Sequence, residues 1–424
     1  MLAPSLSYGD FSLSLHRKLT GLRRGGQGIP SSGTIEVTRR CPLECAHCYN
    51  NLSMNDHEAR RGEMTFEEHC RLLDEIAEAG CFWLLYTGGE IFARRDFLDI
   101  YTYARGKGLI VTLFTNGTLI TEKIADYLVE HRPFNIEITL YGRTRETYER
   151  LTGIPGSYEK CLRGIRLLNE RRLPLKIKTV AVTTNKHEIL DMRRYVEEEL
   201  GASFKFDAMM SPRIDCSQSP LAVRLKPEEI VELDIEDPAR VAEWRRIATE
   251  FAPPPVPSAE VYHCGGGIDS FAVDPEGKMS ICVLSHADTY DLRRGSFREG
   301  WEGFINKVRH KKATRLTKCS ACALKSMCGM CPANGELENG DPESPVDFLC
   351  RTAHLRAHAF DIAVRPHGDC EYCEAGAGYD EMREAAAILR RRAQGEASVS
   401  ARNRYLPVMA EQGSCGSGGC SSCH

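Results

Sequence analysis

TIEVTRRCPLECAHCYN, residues 34–50, joins a β-rich run to a compact set of three cysteines, and the rest of the chain reads outward from that junction. Thr34–Thr38 has the β-branched alternation of a half-buried strand. Cys41, Cys45 and Cys48 follow at its C-terminal end with the spacing C-x3-C-x2-C. Five further strand-like runs come later: Phe82–Tyr86, Leu109–Thr115, Asn135–Leu140, Leu175–Val182 and Ser203–Asp207. Helical patterns separate them. The clearest covers 66–79, where Thr65 and Glu68 are placed as a capping box and Gly80 supplies a left-handed stop. Similar patterns cover 96–107, 121–131, 157–171 and 187–200. Six strands alternating with helices predict an α/β fold of parallel units with right-handed crossovers. Six units make a partial (βα)6 TIM-like barrel, and its chemistry belongs at the C-terminal ends of the strands.

Beyond the barrel the pattern changes. We divide the chain into an N-terminal extension (1–32), the partial barrel (33–207), a linker (208–262), a small Cys-rich domain (263–360), whose cysteines are read below as iron–sulfur ligands, and a C-terminal helix with a Gly/Ser/Cys tail (361–424). Pro253, Pro254, Pro255 and Pro257 stiffen the linker. A helix is expected over 379–394. The 424 residues carry 55 Lys+Arg against 59 Asp+Glu, a formal net charge of −4. That balance gives no electrostatic footprint for nucleic acid. No run reaches 18 apolar residues, so no membrane span is expected. The N-terminus lacks a secretory pattern, so a cytoplasmic location is expected.

Cysteine is the anomaly. Nineteen in 424 residues are too many for a reducing compartment unless thiolates hold metal. Three thiolates can bind three irons of a cubane and leave the fourth open. Structural zinc is the alternative, with His47 as a fourth ligand if it points inward. The next strand ends run into Gly88-Gly89-Glu90, Thr115-Asn116-Gly117 and Thr139-Leu140-Tyr141-Gly142. Ligand-type residues thus recur over one barrel mouth.

With CPLECAHCYN (41–50), YTGGE (86–90), FTNGT (114–118) and ITLYGRTRETYERLTGIPGSYEK (138–160), the sequence resembles the radical S-adenosylmethionine (radical SAM) enzymes. The resemblance covers roughly 35–207. It implies that Cys41, Cys45 and Cys48 hold a [4Fe–4S] cluster whose open iron binds S-adenosylmethionine. It further places Gly88, Gly89 and Glu90 at the methionine amino end. Asn116 and Thr139 fall at the ribose and carboxylate, Tyr49 beside the adenine, and Arg150 as a further carboxylate contact. The second block resembles the SPASM extension of radical SAM peptide maturases: Cys264, Gly277-x4-Cys282, Cys319-x2-Cys322-x5-Cys328-x2-Cys331 and Cys350. The family spacing has three residues between the last two cysteines of the run, and here there are two, Gly329 and Met330. By that resemblance Cys319, Cys322, Cys328 and Cys350 complete one auxiliary cluster. Cys264, Cys282 and Cys331 supply three ligands to another, with His263, Cys216 or substrate as candidates for the fourth.

Cys70, Cys81 and Cys161 read as buried small hydrophobes. Cys370, Cys373 and the tail residues Cys415, Cys420, Cys423 and His424 carry soft ligands without a reading of their own. A tail thiolate is a candidate to cap the open auxiliary site.

The implied function is a radical SAM enzyme that modifies a ribosomally made peptide or protein. Its electrons would come from a donor such as flavodoxin or ferredoxin. About 30 residues precede the first strand, so a separate leader-peptide-binding protein is expected. Two alternatives are weighed. Formylglycine formation in sulfatases would want an aspartate where Val283 stands. A non-catalytic iron–sulfur carrier would need no sulfonium site.

Overall fold

Eleven strands form among the residues that the computed structural model describes, 28–251 and 259–404, with backbone alone from 396 onward. In chain order they are β1 (Ser32–Glu36), β2 (Arg40–Cys41), β3 (Leu52–Ser53), β4 (Trp83–Thr87), β5 (Ile110–Thr115) and β6 (Asn135–Thr139). Then come β7 (Leu175–Val180), β8 (Ser203–Asp207), β9 (Ser270–Val273), β10 (Lys278–Ser280) and β11 (Tyr290–Asp291). The N-terminal extension before residue 28, the proline run and the tail cysteines lie outside the described residues.

The main sheet has the order β11-β10-β9-β1-β4-β5-β6-β7-β8. From β9 to β8 every pairing is parallel, the arrangement of a partial barrel with βα crossovers. The six runs read from the sequence are β1 and β4 to β8, each within two residues of its expected bounds. Ile35, Leu84, Tyr86, Leu113, Ile136, Ile138 and Ile177 are wholly buried, because parallel strands are covered on both faces. Leu73, Ile76, Ile100, Leu128 and Ile165 from the flanking helices complete this core.

Helix Phe66–Glu78 starts on the expected capping box, and Gly80 follows with φ +97°. Helices Phe97–Gly106, Glu122–Glu130 and Ser157–Glu170 also fall where the periodicity places them. Two elements differ. The run 187–200 is not one regular helix: a tight turn at Lys186–Glu188 leads into Ile189–Arg194, then a widened turn at Tyr195–Glu199. The widening ends where Leu200 N–H donates to Tyr195 O at 3.1 Å. An additional helix, Arg145–Thr152, occupies the stretch read only as a motif.

The second cysteine block is also more unified with the barrel than its composition suggests. β9 pairs with β1 in register Ser32↔Ser270. Phe271, Phe297, Trp301 and Ile305 join the barrel's own core, with Phe271 and Phe297 in edge contact at 4.8 Å. Hydrophobic packing therefore holds 270–309 to the barrel. Between barrel and block, helices Pro227–Ile235 and Pro238–Glu250 occupy the linker stretch. Asp234 is wholly buried there. It accepts from Arg356 at 2.8 Å and from Arg240 at 2.6 Å. Arg356 sits on helix Asp347–Ala359, which also carries Cys350. No described helix is long and apolar enough to cross a membrane.

Candidate functional site

The loop 41–48 hangs from the end of β1, and three separate devices fix it. The short β2–β3 ladder pairs Arg40 with Leu52 and Cys41 with Ser53, closing the loop at its base. Helix Arg145–Thr152 offers its last carbonyls: Glu44 N–H donates to Thr152 O at 2.9 Å and Ala46 N–H to Leu151 O at 3.0 Å. Those carbonyls would otherwise be left over at a helix end. Arg213 donates to Cys48 O at 3.3 Å and to Asn51 Oδ1 at 2.8 Å.

Gly88 and Gly89 serve this geometry as well. Gly88 has φ +140°, and a Cβ there would sit 2.1 Å from Thr38 O; one at Gly89 would sit 2.4 Å from Arg39 O. The backbone entering the cysteine loop thus crosses directly over the end of β4, which only glycine allows.

Above the strand ends lies a cavity of about 900 Å³. Cys41, Cys45, Cys48, Tyr49, Gly88, Gly89, Asn116 and Thr139 all line it. Two residues expected there do not. Arg150 is exposed and outside that lining. Glu90 is buried beneath the rim, and its carboxylate is taken up internally. It accepts from Thr115 Oγ1 at 2.7 Å, Asn116 N–H at 2.8 Å and Phe92 N–H at 3.2 Å. Glu90 thus orients the end of β5 instead of presenting a free oxygen to the cavity. Burial pushes its pKa up to about 7.

Asn116 is aimed from both ends. Its Oδ1 accepts from Thr118 Oγ1 at 2.6 Å, and its Nδ2 donates to Cys41 Sγ at 3.4 Å. Leu43 N–H donates to the same sulfur at 3.4 Å. Burial nevertheless raises all three thiols, Cys41 to about 12. Desolvation disfavours the bare thiolate, so a bound cation is needed to ionise them. Three convergent sulfurs with N–H donors to one of them fit a cluster that leaves one metal position open. His47 lines the cavity with Nδ1 unpartnered, and burial lowers its pKa to about 4, so the ring is neutral.

Sequence reasoning missed several supporting residues. Glu36, buried at the end of β1, accepts from Tyr49 Oη and Asn50 Nδ2, both at 2.6 Å. Lys178 lines the cavity, with Nζ 2.8 Å from the Phe114 ring centroid and 3.4 Å from Glu137 Oε2. Burial lowers its pKa to about 7. Both are charged residues on β-rich runs, the only signal the sequence offered.

The structure brings Cys319, Cys322, Cys328 and Cys350 around a second, nearly filled cavity of about 20 Å³. Leu324 N–H and Met330 N–H donate to the sulfurs of Cys322 and Cys328 at 3.4 and 3.3 Å. His354 and His367, absent from the sequence reading, also border it. Cys264 is near enough to raise the pKa of Cys282, and both are near enough to raise that of Cys331; Val283 and Leu284, next to Cys282, reach the large cavity. His263 has Nε2 3.1 Å from Lys325 Nζ. Cys216 is exposed, Cys81 and Cys161 are buried and Cys70 is half-buried.

Residues 35–196 match the Radical SAM superfamily. The chain is 28% identical to an AdoMet-dependent heme synthase of Methanosarcina barkeri, over 72% of this chain and 92% of that protein. It is 26% identical to a PqqA peptide cyclase of Rhodopseudomonas palustris, over 79% and 90%. Among solved structures, Streptococcus suis SuiB bound to its precursor peptide SuiA aligns with TM-score 0.59 at 16% identity, covering 82% of each chain.

Proposed function

The chain carries a radical SAM domain, and from that premise we propose that it is a peptide-modifying enzyme whose reaction starts at the loop 41–48. The observation that carries this reading is the cavity of about 900 Å³ with three cysteines on its wall. Small-molecule sites span roughly 300–1,000 Å³, so this volume leaves room for a substrate segment beside a nucleoside-sized cofactor.

Cys41, Cys45 and Cys48 would hold a [4Fe–4S] cluster. Gly88, Gly89, Asn116, Thr139 and Tyr49 would cradle S-adenosylmethionine. Together these cofactors supply a one-electron reductive cleavage that makes a 5′-deoxyadenosyl radical. The protein's own share is positioning. Glu90 and Thr118 fix Asn116; Glu36 fixes Tyr49 and Asn50; helix Arg145–Thr152 fixes the cysteine loop. On the opposite wall Trp244, Arg356, Val283 and Leu284 come from the linker helices and the second cysteine block. Substrate bound in the cavity would therefore touch both halves of the molecule. Cys319, Cys322, Cys328 and Cys350 would hold one auxiliary cluster, and Cys264, Cys282 and Cys331 three irons of another. The reading also implies a protein electron donor such as flavodoxin or ferredoxin, and a separate leader-peptide-binding protein. A cytoplasmic setting suits oxygen-sensitive clusters.

A second reading, a tetrapyrrole substrate, is favoured by the likeness to heme synthase over nine-tenths of that protein's length. The two are separated by supplying anaerobically reconstituted protein with S-adenosylmethionine and reductant. One set of reactions receives candidate short peptides, including any encoded beside its gene, the other an iron porphyrin. The peptide reading predicts a peptide mass change matched by 5′-deoxyadenosine. Porphyrin conversion with unaltered peptides would replace it.

A further inference from the structure

Cys370 and Cys373 take no part in the site above, yet both are buried against His354 and His367, and the four ligand atoms lie within 4.8 Å of one another. Cys370 Sγ is 3.5 Å from His354 Nε2, and Cys373 Sγ is 3.7 Å from the same nitrogen. Cys373 Sγ is also 3.4 Å from His367 Nδ1. A tetrahedral ion with Zn–S of about 2.3 Å and Zn–N of about 2.0–2.1 Å has S···N edges of about 3.5 Å. These separations are those of a single coordination sphere.

Thiol–imidazole hydrogen bonding does not account for the arrangement. His354 Nδ1 lies 2.8 Å from Cys350 O, so that nitrogen carries the proton of the neutral ring and Nε2 presents one lone pair. Two sulfurs face that lone pair, and only one S–H can use it; the other is left with His367 Nδ1, which also faces Arg365 O at 3.0 Å. Nor are the two cysteines joined, since both are free. A two-iron centre with mixed ligands would put the sulfurs on one iron and the nitrogens on the other, whereas here sulfur and nitrogen interleave at 3.4–3.7 Å. Two thiolates also neutralise a divalent cation, which lets it be buried without leftover charge.

We propose that His354, His367, Cys370 and Cys373 hold one zinc ion, which adjoins the pocket of Cys319, Cys322, Cys328 and Cys350. S2N2 ligation in tetrahedral array is the donor set zinc favours. The surrounding chain is shaped for it. Cys373 N–H donates to Cys370 O at 3.3 Å and Gly376 N–H to Cys373 O at 2.8 Å, forming a tight knuckle. A Cβ at Gly376 would meet Glu371 O at 2.4 Å. Tyr372 Oη bonds Asp347 Oδ1 at 2.8 Å and Lys318 Nζ bonds Glu371 Oε1 at 2.6 Å, so the knuckle is clasped from both sides. The ion ties the returning segment to helix Asp347–Ala359. His354 lies one turn after Cys350, with Nδ1 3.7 Å from its sulfur. The zinc thereby fixes the helix that carries the last cysteine of the closed pocket.

Elemental analysis of the full chain, grown with zinc and reconstituted anaerobically with iron and sulfide, tests this. One zinc per chain is expected beside the iron. Zinc-edge X-ray absorption should show two sulfurs at about 2.3 Å and two nitrogens at about 2.0 Å. In Cys370→Ser/Cys373→Ser the zinc should fall to near zero while iron is unchanged. If that variant does not fold, His367→Ala carries the same comparison, and the absorption spectrum of the unaltered chain stands independently. Zinc absent from the unaltered chain, zinc retained in the variant, an all-sulfur zinc shell, or loss of about four irons with the two cysteines would each overturn the proposal.

Discussion

The cysteine loop at 41–48 and the cysteine pocket at 319–350 hold sulfur in opposite ways. The loop hangs from a buried sheet, presents three thiols and opens on about 900 Å³. The pocket has four thiols around about 20 Å³, one of them on helix Asp347–Ala359. An open position is useful only where something must enter, and the loop gets its rigidity from elsewhere: Thr152 and Leu151 carbonyls, the β2–β3 ladder, and Arg213. The pocket is framed differently: its helix Asp347–Ala359 is held through Arg356 by the buried Asp234 of helix Pro227–Ile235. One region is open to a ligand, the other closed around its own thiols.

Asp234→Ala should break the second region most severely. It leaves Arg356 and Arg240 without their shared buried partner, a loss of about 3–5 kcal/mol. The helix carrying Cys350 is released, so iron should fall by about four of roughly twelve per chain. Cleavage of S-adenosylmethionine at the loop should persist. Iron analysis and 5′-deoxyadenosine assays on one preparation check this, and loss of both together would show that the two regions are not separable.

Glu90→Ala acts on the first region. It strands Thr115 Oγ1, Asn116 N–H and Phe92 N–H in a buried place, costing about 2–4 kcal/mol in anaerobic denaturation. S-adenosylmethionine affinity should drop because Asn116 is no longer aimed. Glu90→Gln keeps an acceptor and should recover part of both. An unchanged denaturation midpoint in Glu90→Ala would mean that the carboxylate is not a structural anchor.

Lys178 gives the smallest effect per step, spread over several pH units, and its sign follows from burial. Its pKa in the folded protein, about 7, lies below the usual lysine value of about 10.4. Between those values the unfolded chain binds more protons, so stability rises with pH; below about 7 the full cost of burying the charge remains. Lys178→Met should be the more stable protein at pH 7. That advantage should shrink toward pH 10, by on the order of 1 kcal/mol per unit. Melting curves of the two proteins from pH 7 to 10 measure it. A constant gap would mean that Lys178 does not titrate in this range.

Much of this was legible in the sequence because it is local. Strand and helix periodicity, the Thr65–Glu68 capping box and the C-x3-C-x2-C loop each lie within a few residues. The non-local parts were not. The pairing of Ser32 with Ser270 closes 238 residues of chain, and no pattern within either strand announces it. Glu90 stands in a glycine-rich motif that looks like a ligand loop, and its partners on β5 are visible only in three dimensions. His354 and His367 are single imidazoles 13 positions apart, a weak signal until the fold brings both to Cys370 and Cys373. Helix Arg145–Thr152 was hidden by reading its residues for chemistry alone.

The claim that the loop 41–48 is where the reaction begins is tested most directly by changing Cys41, Cys45 and Cys48 together to alanine. Anaerobically reconstituted, reduced protein is then assayed for 5′-deoxyadenosine from S-adenosylmethionine. The unaltered chain should make it, while the variant should lose about four irons, make none, and keep the remaining iron. A variant that still produces 5′-deoxyadenosine would place the cleavage elsewhere and contradict the account.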